Sequence, residues 1–88
     1  MNIYLLSQHS NTGYDTYDSC VVRAPDEASA RLMHPRGDLE WNGSQWVFPD
    51  LGRAGIDTWA CPDAVTVEYI GTAGDAQSGV ICASFNAG

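Results

Sequence analysis

The C-terminal part of the chain carries the pattern that decides the fold: VTVEYI from Val65 to Ile70, GTAGDAQS over residues 71–78, and GVICASF from Gly79 to Phe85. Two runs rich in β-branched residues flank a stretch of turn-forming residues, which is typical of an antiparallel hairpin. The second run has apolar residues on both faces, as strands covered on both sides do. We therefore predict a hairpin whose second strand lies in the middle of a sheet.

The length and composition of the chain are those of one small folded domain. It has 88 residues, of which 44% are hydrophobic, and this predicts a single domain over residues 1–88. No apolar run approaches the roughly 18 residues that cross a bilayer. The first residues lack the basic and long apolar segments of a signal peptide. We therefore expect a cytosolic protein.

The N-terminal part of the chain predicts a second hairpin. Residues 2–8 read as a strand with apolar side chains on both faces, and a cluster of turn residues follows. The later half of residues 14–24 alternates so that Cys20, Val22 and Ala24 share one face. We expect this face to lie against the core, with an antiparallel connection between the two strands.

A helix is predicted directly after this second strand. Pro25 suits the first helical position, and the two acids that follow it complement the positive end of the helix dipole. The helix is expected to span about ten residues and to end before Pro35, because proline disfavours helical geometry in the residue that precedes it. Its apolar face would consist of Ala28, Leu32 and Met33.

The middle of the chain, residues 36–62, has a weaker pattern. The Asn42-Gly43 pair predicts a hairpin turn, with an irregular loop as the alternative, and residues 50–57 read as a loop. The tryptophans of this segment either form a small core beneath it or stack a base or small ligand. A core role is favoured, because ring-stacking binders combine aromatic rings with basic charge. These tryptophans are Trp41, Trp46 and Trp59.

These elements together predict an α+β fold. We expect a mainly antiparallel sheet of about four strands, with one short helix packed on a face. The expected order of elements is two strands, the helix, the loop or hairpin of the middle segment, and two further strands.

No pattern of catalytic residues occurs in the chain. His9 and His34 have no patterned nucleophile beside them. The Gly-rich residues 71–74 follow a strand without opening a helix, which disfavours a phosphate site. Asp15 and Asp18 fit turn capping better than a metal site. The sequence thus predicts a protein that is not an enzyme and needs neither cofactor nor metal.

The cysteines form an odd, scattered set without the spacing of zinc ligands. Two of them lie within strand-like runs, where a reduced and buried thiol is the commonest outcome. We expect structural roles for Cys20, Cys61 and Cys82.

Charge is the most informative bulk property. Eleven acids stand against four arginines and no lysine, which gives a net charge of −7. Such a surface repels nucleic acid and anionic membranes and favours basic protein partners. The alternative is that the acids serve solubility alone.

A group of tyrosines and aspartates near the start of the second strand is the candidate partner-binding patch. It consists of Tyr14, Asp15, Tyr17 and Asp18. Tyrosine offers a large, stiff contact area with a polar tip, which suits a protein interface. The alternative is that Tyr17 packs in the core and Tyr14 covers its edge.

The chain resembles a family of small, mostly uncharacterised bacteriophage and prophage proteins. Three stretches carry the resemblance: IYLLSQ with GYDTYDS near the start, the acidic helix start with Ala28, Ala30-Arg31 and His34-Pro35, and VTVEYIGTA with the ending GVICASFNAG. The resemblance implies a phage accessory protein that acts in the bacterial cytoplasm. It transfers no catalytic or binding residue to this chain.

We therefore expect a non-enzymatic phage protein that binds a host protein and inhibits a defence system. Its size and charge are similar to those of anti-CRISPR proteins. The expected partner is a basic nucleic-acid-binding protein, with no direct contact to nucleic acid or membrane. One alternative is a module that sequesters a nucleotide signal, with the tryptophans stacking the base and Arg36 or Arg53 binding phosphate. Another is a phage protein that assembles with itself, for example as a homodimer.

Overall fold

The computed structural model describes residues 1–10, 16–54, 59–74 and 77–86. Its elements are β1 (Asn2–Ser7), β2 (Thr16–Ala24), α1 (Glu27–Arg31), β3 (Glu40–Trp41), β4 (Trp46–Phe48), β5 (Arg53–Ala54), a 3-10 turn (Pro62–Ala64), β6 (Thr66–Thr72) and β7 (Gly79–Asn86). In this described part, four strands form an antiparallel sheet in the order β6-β1-β2-β7, and β3, β4 and β5 form a smaller one. The predicted α+β class is confirmed.

The N-terminal hairpin forms as the sequence predicts. β1 pairs with β2 in a register that sets Tyr4 opposite Val22 and Leu6 opposite Cys20. These four side chains, together with that of Ala24, are buried on one face of the sheet. The predicted core face of the second strand is therefore confirmed.

The predicted C-terminal hairpin is wrong. β6 pairs with β1 and β7 pairs with β2, so the two strands lie at opposite edges of the sheet. β7 is therefore an edge strand rather than the central one. The hairpin of β1 and β2 has two free edges, and each C-terminal strand extends a different one. Alternation along a strand does not encode which partner it takes, so the pattern alone could not show this.

The helix is shorter than predicted and buries a different side chain. Asp26 caps it, with its Oδ1 accepting a hydrogen bond from the backbone N–H of Ser29 at 2.8 Å. With only five residues, Glu27–Arg31, the helix has one buried position, Ala30. The predicted apolar face is wrong for Leu32, which lies beyond the helix and is 53% exposed, and for the exposed Ala28, whereas Met33 is partly buried against the core.

The predicted turn at Asn42-Gly43 is confirmed. Oδ1 of Asn42 accepts hydrogen bonds from the backbone N–H groups of Ser44 and Gln45, each at 2.9 Å. Gly43 has a φ of 105°, which side chains disfavour. The prediction of a loop over residues 50–57 is wrong in part, because Arg53–Ala54 pairs with β4 as β5; residues 55–57 lie outside the described part.

The core lies between one face of the four-stranded sheet and the segments that cross it. It contains Trp46 and Trp59 beside the buried residues of β1 and β2. Trp41 is half-buried, and its ring lies edge-on to that of Trp46 at 5.3 Å. The predicted core role is thus confirmed for Trp46 and Trp59, whereas Trp41 is only partly buried against the core.

The opposite face of the sheet is more open than its sequence suggests. Ile3, Leu5 and Val21 are only partly buried, and none of the sheet residues in the core cluster lies on this face. Beside Val21, a bulge in β7 leaves Ile81 46% exposed. The expectation that β1 is buried on both faces is therefore wrong.

Candidate functional site

The predicted partner-binding patch is only partly within the described residues, since Tyr14 and Asp15 lie outside them. Tyr17 is half-buried, and its ring lies 6.1 Å from the buried ring of His34. Its carbonyl oxygen accepts a hydrogen bond from Nε2 of Gln8 at 2.6 Å. Tyr17 therefore packs on the core, which was the alternative considered for it.

Asp18 is the described member of the patch that faces solvent. A bulge in β2 between Tyr17 and Ser19 takes it out of the regular ladder, and its side chain is exposed. Its backbone carbonyl accepts a hydrogen bond from the N–H of Gln8. The backbone of Asp18 is thus held by the hairpin, while its carboxylate is available for contact.

The tryptophans do not form an exposed stacking platform. Trp59 is 1% exposed and Trp46 is 7% exposed. Nε1 of Trp46 donates a hydrogen bond to the carbonyl oxygen of Ala60 at 3.0 Å. A ligand would have to displace parts of the core to stack on these two rings, so only the half-buried Trp41 has a ring open to contact.

Two arginines form hydrogen bonds with backbone carbonyl or carboxylate groups of the same chain. Nη1 of Arg31 donates hydrogen bonds to the carbonyl oxygens of Pro62 and Val65. Arg36 forms a two-point contact with the carboxylate of Asp38, at 3.1 and 3.0 Å. Its guanidinium also lies 5.2 Å from the centroid of the Phe48 ring. Arg31 thus links the helix to the segment before β6, and Arg36 stabilises the loop that follows the helix.

A third arginine is engaged at the edge of the sheet. Nε of Arg23 donates a hydrogen bond to the carbonyl oxygen of Gln77 at 2.9 Å, just before β7 begins. Arg53, by contrast, is exposed on the short strand β5. Three of the four arginines therefore serve internal contacts and contribute little positive charge for binding a ligand.

Most of the described acids have no arginine beside them. Glu27 lies 3.6 Å from Arg31, and Asp38 lies 3.0 Å from Arg36. Six other acids in the described ranges have no cationic group within 4 Å, and all of them are exposed. They are Asp18, Asp26, Glu40, Asp50, Asp63 and Glu68. The surface of the protein therefore carries negative charge that its own arginines do not neutralise.

His34 is a buried residue whose role the sequence did not reveal. It is 1% exposed, and its ring lies 5.2 Å from that of Trp46. Nδ1 accepts a hydrogen bond from the backbone N–H of Arg36 at 3.1 Å. Burial, followed by the nearby Arg36 charge, lowers the pKa of His34 to about 4. The imidazole is therefore neutral at pH 7 and supports the core.

A groove of about 270 Å³ lies where the segment after the helix meets the start of β7. Its walls include Leu32, Met33 and Leu39, with Val80 on the strand side. Glu40 is its charged member and is exposed. The two halves of the groove are about forty residues apart in the chain, so no local sequence pattern predicts the groove.

The cysteines differ from one another more than expected. Cys20 is buried, and its pKa is raised to about 12, first by burial and then by the nearby Cys82. Cys61 and Cys82 are exposed, so the prediction of a buried thiol is wrong for Cys82. Its strand lies at the sheet edge, where the outer face is uncovered. No cluster of three metal-ligating side chains occurs in the ranges that the structure describes.

Comparison with protein-family models, with curated proteins and with solved structures found no match. None of the helices in the described residues is long and apolar enough to cross a membrane.

Proposed function

We propose that this protein is a non-enzymatic binding protein whose acidic surface docks on a basic protein that handles nucleic acid. The observation that carries the proposal is the separation of its charges. Three of the four arginines bind internal groups, while six exposed acids have no cation within 4 Å. Exposed carboxylates attract lysine and arginine through the same electrostatics by which DNA attracts them.

The biological setting of this proposal is a bacteriophage protein acting on its bacterial host. It comes from the resemblance of three stretches of the sequence to small phage proteins. In that setting, occupation of the nucleic-acid site of a defence complex would inhibit the complex, as an anti-CRISPR protein does. A rigid acidic surface suits this role because it competes with a phosphate backbone for the same basic residues.

The alternative of a nucleotide-sequestering module has less support. Such a module needs an arginine that converges with an exposed aromatic ring in a pocket. Arg36 does lie against Phe48, but its guanidinium is already bound by Asp38 at two points. Trp46 and Trp59 are buried in the core. A nucleotide phosphate would have to displace a carboxylate and would gain little.

Affinity capture from a lysate of the bacterial host, followed by mass spectrometry, tests the proposal. The tagged protein is compared at low and moderate salt, where an electrostatic complex weakens as salt rises. The proposal expects one basic, nucleic-acid-handling complex that is recovered at low salt and lost at moderate salt. Recovery that does not depend on salt, or of this protein alone, would contradict it.

A matched pair of variants makes the test specific to the unpaired acids. Asp18→Asn with Asp50→Asn removes two exposed acids that have no cation partner. Glu27→Gln with Asp38→Asn changes the net charge equally but removes acids that already face arginines. Loss of an exposed charge pair raises a dissociation constant by about two- to fivefold. The first variant is expected to lose affinity and the second to retain it; equal losses would contradict the assignment.

A further inference from the structure

Among the described residues, β7 is an edge strand whose one protection against pairing is a bulge. Its eight residues, Gly79–Asn86, include no charged side chain and no proline. It pairs with β2 on one side and with no other described strand. Natural sheet edges are commonly blunted by charge, proline or short length, because their free N–H and C=O groups recruit other strands. Only the bulge beside Ile81 departs from a regular edge.

The other edge of the same sheet differs in its charge and in the contacts that hold its ends. β6 carries Glu68, whose side chain is exposed. The chain start lies against its end, where the N–H of Ala73 donates to the carbonyl oxygen of Met1 at 2.8 Å. The segment just before β6 is held by Arg31. β6 is thus a charged and fastened edge, and β7 is an uncharged one.

The groove described above lies directly beside the start of β7. Ser78, Gly79 and Val80 form one side of it, and Leu32 and Met33 belong to the other. Side chains of a strand point alternately to its two faces, so every second side chain of a strand added along β7 would lie on the side of the groove, and the one beside Gly79 and Val80 would face it. Glu40 stands in the same groove and offers a negative charge to such a side chain.

We propose that β7 binds an extended, basic segment of the partner protein as a fifth strand of the sheet. Backbone hydrogen bonds along β7 hold the segment, and a lysine or arginine enters the groove. Its aliphatic stem lies along Leu32 and Met33 while its charge meets Glu40. The apolar side chains on the other face of the segment pack beside Ile81. This inference rests on the proposed function for the basic character of the partner, and it adds how that partner is held.

Charge favours such a segment over a second copy of this chain. Two copies would bring together net charges of −7 each, which repel at moderate salt. The groove also contains Glu40 with no cationic group within 4 Å. A strand from another copy would supply no positive side chain, because β7 itself carries none. A basic strand would both pair with the free edge of β7 and bring a positive side chain to Glu40.

Titration with a designed peptide, followed by NMR of the backbone amides, tests the inference. The probe is the acetylated and amidated peptide Lys-Val-Lys-Leu-Lys-Val-Lys, and its control has glutamate in place of each lysine. We expect the basic peptide to shift amides of residues 79–84 and the acidic one to leave them unchanged. Absence of β7 shifts with the basic peptide at several millimolar, or equal shifts with both peptides, would overturn the inference.

Matched variants at the two sheet edges locate the contact. Ile81→Lys on β7 is expected to weaken peptide binding at least about tenfold, because it sets a charge against the apolar side chains of the segment and repels its lysines. Ile70→Lys, at the bulge of β6 where Ile70 is 50% exposed, should leave binding unchanged. Glu40→Gln should weaken binding about threefold, and Glu68→Gln should not. The reverse order of effects, or β7 shifts that depend on protein concentration alone, would overturn the inference, the latter by indicating a second copy.

The same variants separate this inference from the proposed function. If a basic complex is captured in a salt-dependent manner and Ile81→Lys captures it equally well, the docking edge is wrong and the function stands. If the basic peptide binds along β7 but no basic complex is captured, the edge stands and the proposed function fails.

Discussion

The two faces of the four-stranded sheet carry similar apolar side chains in very different surroundings. Leu6 and Val22 are fully buried on the packed face, whereas their neighbours Leu5 and Val21 are partly exposed on the open face. The packed face also receives His34 and the tryptophans. The difference shows that apolar residues of this sheet hold the fold on one side and remain available for contact on the other.

The largest effect is expected from equal truncations on the two faces. Leu6→Ala should lower the free energy of unfolding by about 3 kcal/mol, because it leaves a cavity in the core. Leu5→Ala should lower it by about 1 kcal/mol, since its side chain is partly in water already. Urea denaturation of both variants measures the difference. Equal losses would mean that the two faces are equally covered.

Acidification should weaken the packed face through His34. Its pKa is about 4 in the folded protein, against an ordinary value of 6.5, so the unfolded chain takes up a proton first as pH falls. The contribution of His34 to the free energy of unfolding is therefore complete above pH 6.5. About 3 kcal/mol of this free energy is lost as the pH falls to 4. His34→Phe keeps an aromatic ring but cannot take up this proton. A thermal denaturation series in which both proteins lose stability equally over this range would contradict the assignment.

Alanine replacements of a glycine in the β3–β4 turn and of one on β6 should have different effects on stability. Gly43→Ala is expected to destabilise by about 1 kcal/mol, because φ is 105° in the turn that aligns Trp41 with Trp46. Gly71→Ala lies beside Ile3, where an added methyl would meet Cδ1 at an ordinary 4.0 Å. It should be neutral or slightly stabilising. Thermal denaturation of the two variants decides between these outcomes and a common loss.

The smallest perturbation comes from thiol labelling, which leaves the fold intact. Cys20 lies on the packed face, and its raised pKa of about 12 suppresses the reactive thiolate. Cys61 and Cys82 are exposed. A thiol reagent at pH 8 should therefore label two cysteines at once and the third only after unfolding, as counted by mass spectrometry. Rapid labelling of all three would show that the packed face is open.

Local sequence patterns predicted those parts of the fold that local contacts decide. The β1–β2 hairpin and the Asn42-Gly43 turn follow from alternation and turn chemistry over a few residues. The pairing of β6 and β7 with strands far away in the chain does not. Their similar alternation suggested one hairpin, whereas the free edges of the β1–β2 pair accept one strand each. The helix docks through the buried Ala30 and through the Arg31 hydrogen bonds to Pro62 and Val65, which no local pattern predicts.

The candidate site was predictable in charge but not in position. The excess of acids is a property of composition, and the proposal of a basic partner rests on it. The location of unpaired acids depends on which ones the arginines reach, for example Asp38 and not Glu40. The groove beside Val80 and the openness of the β7 edge depend on contacts between distant segments. Such features arise from tertiary packing, which no short motif records.

Amide hydrogen exchange of the protein, alone and bound to the captured partner, tests the account most directly. Amides that gain hydrogen bonds or burial in the complex exchange more slowly. The account predicts slower exchange along residues 79–84 of β7, with little change along β6, and reversal of this protection in Ile81→Lys. Protection that falls on β6 or elsewhere while β7 exchanges as in the free protein would contradict it.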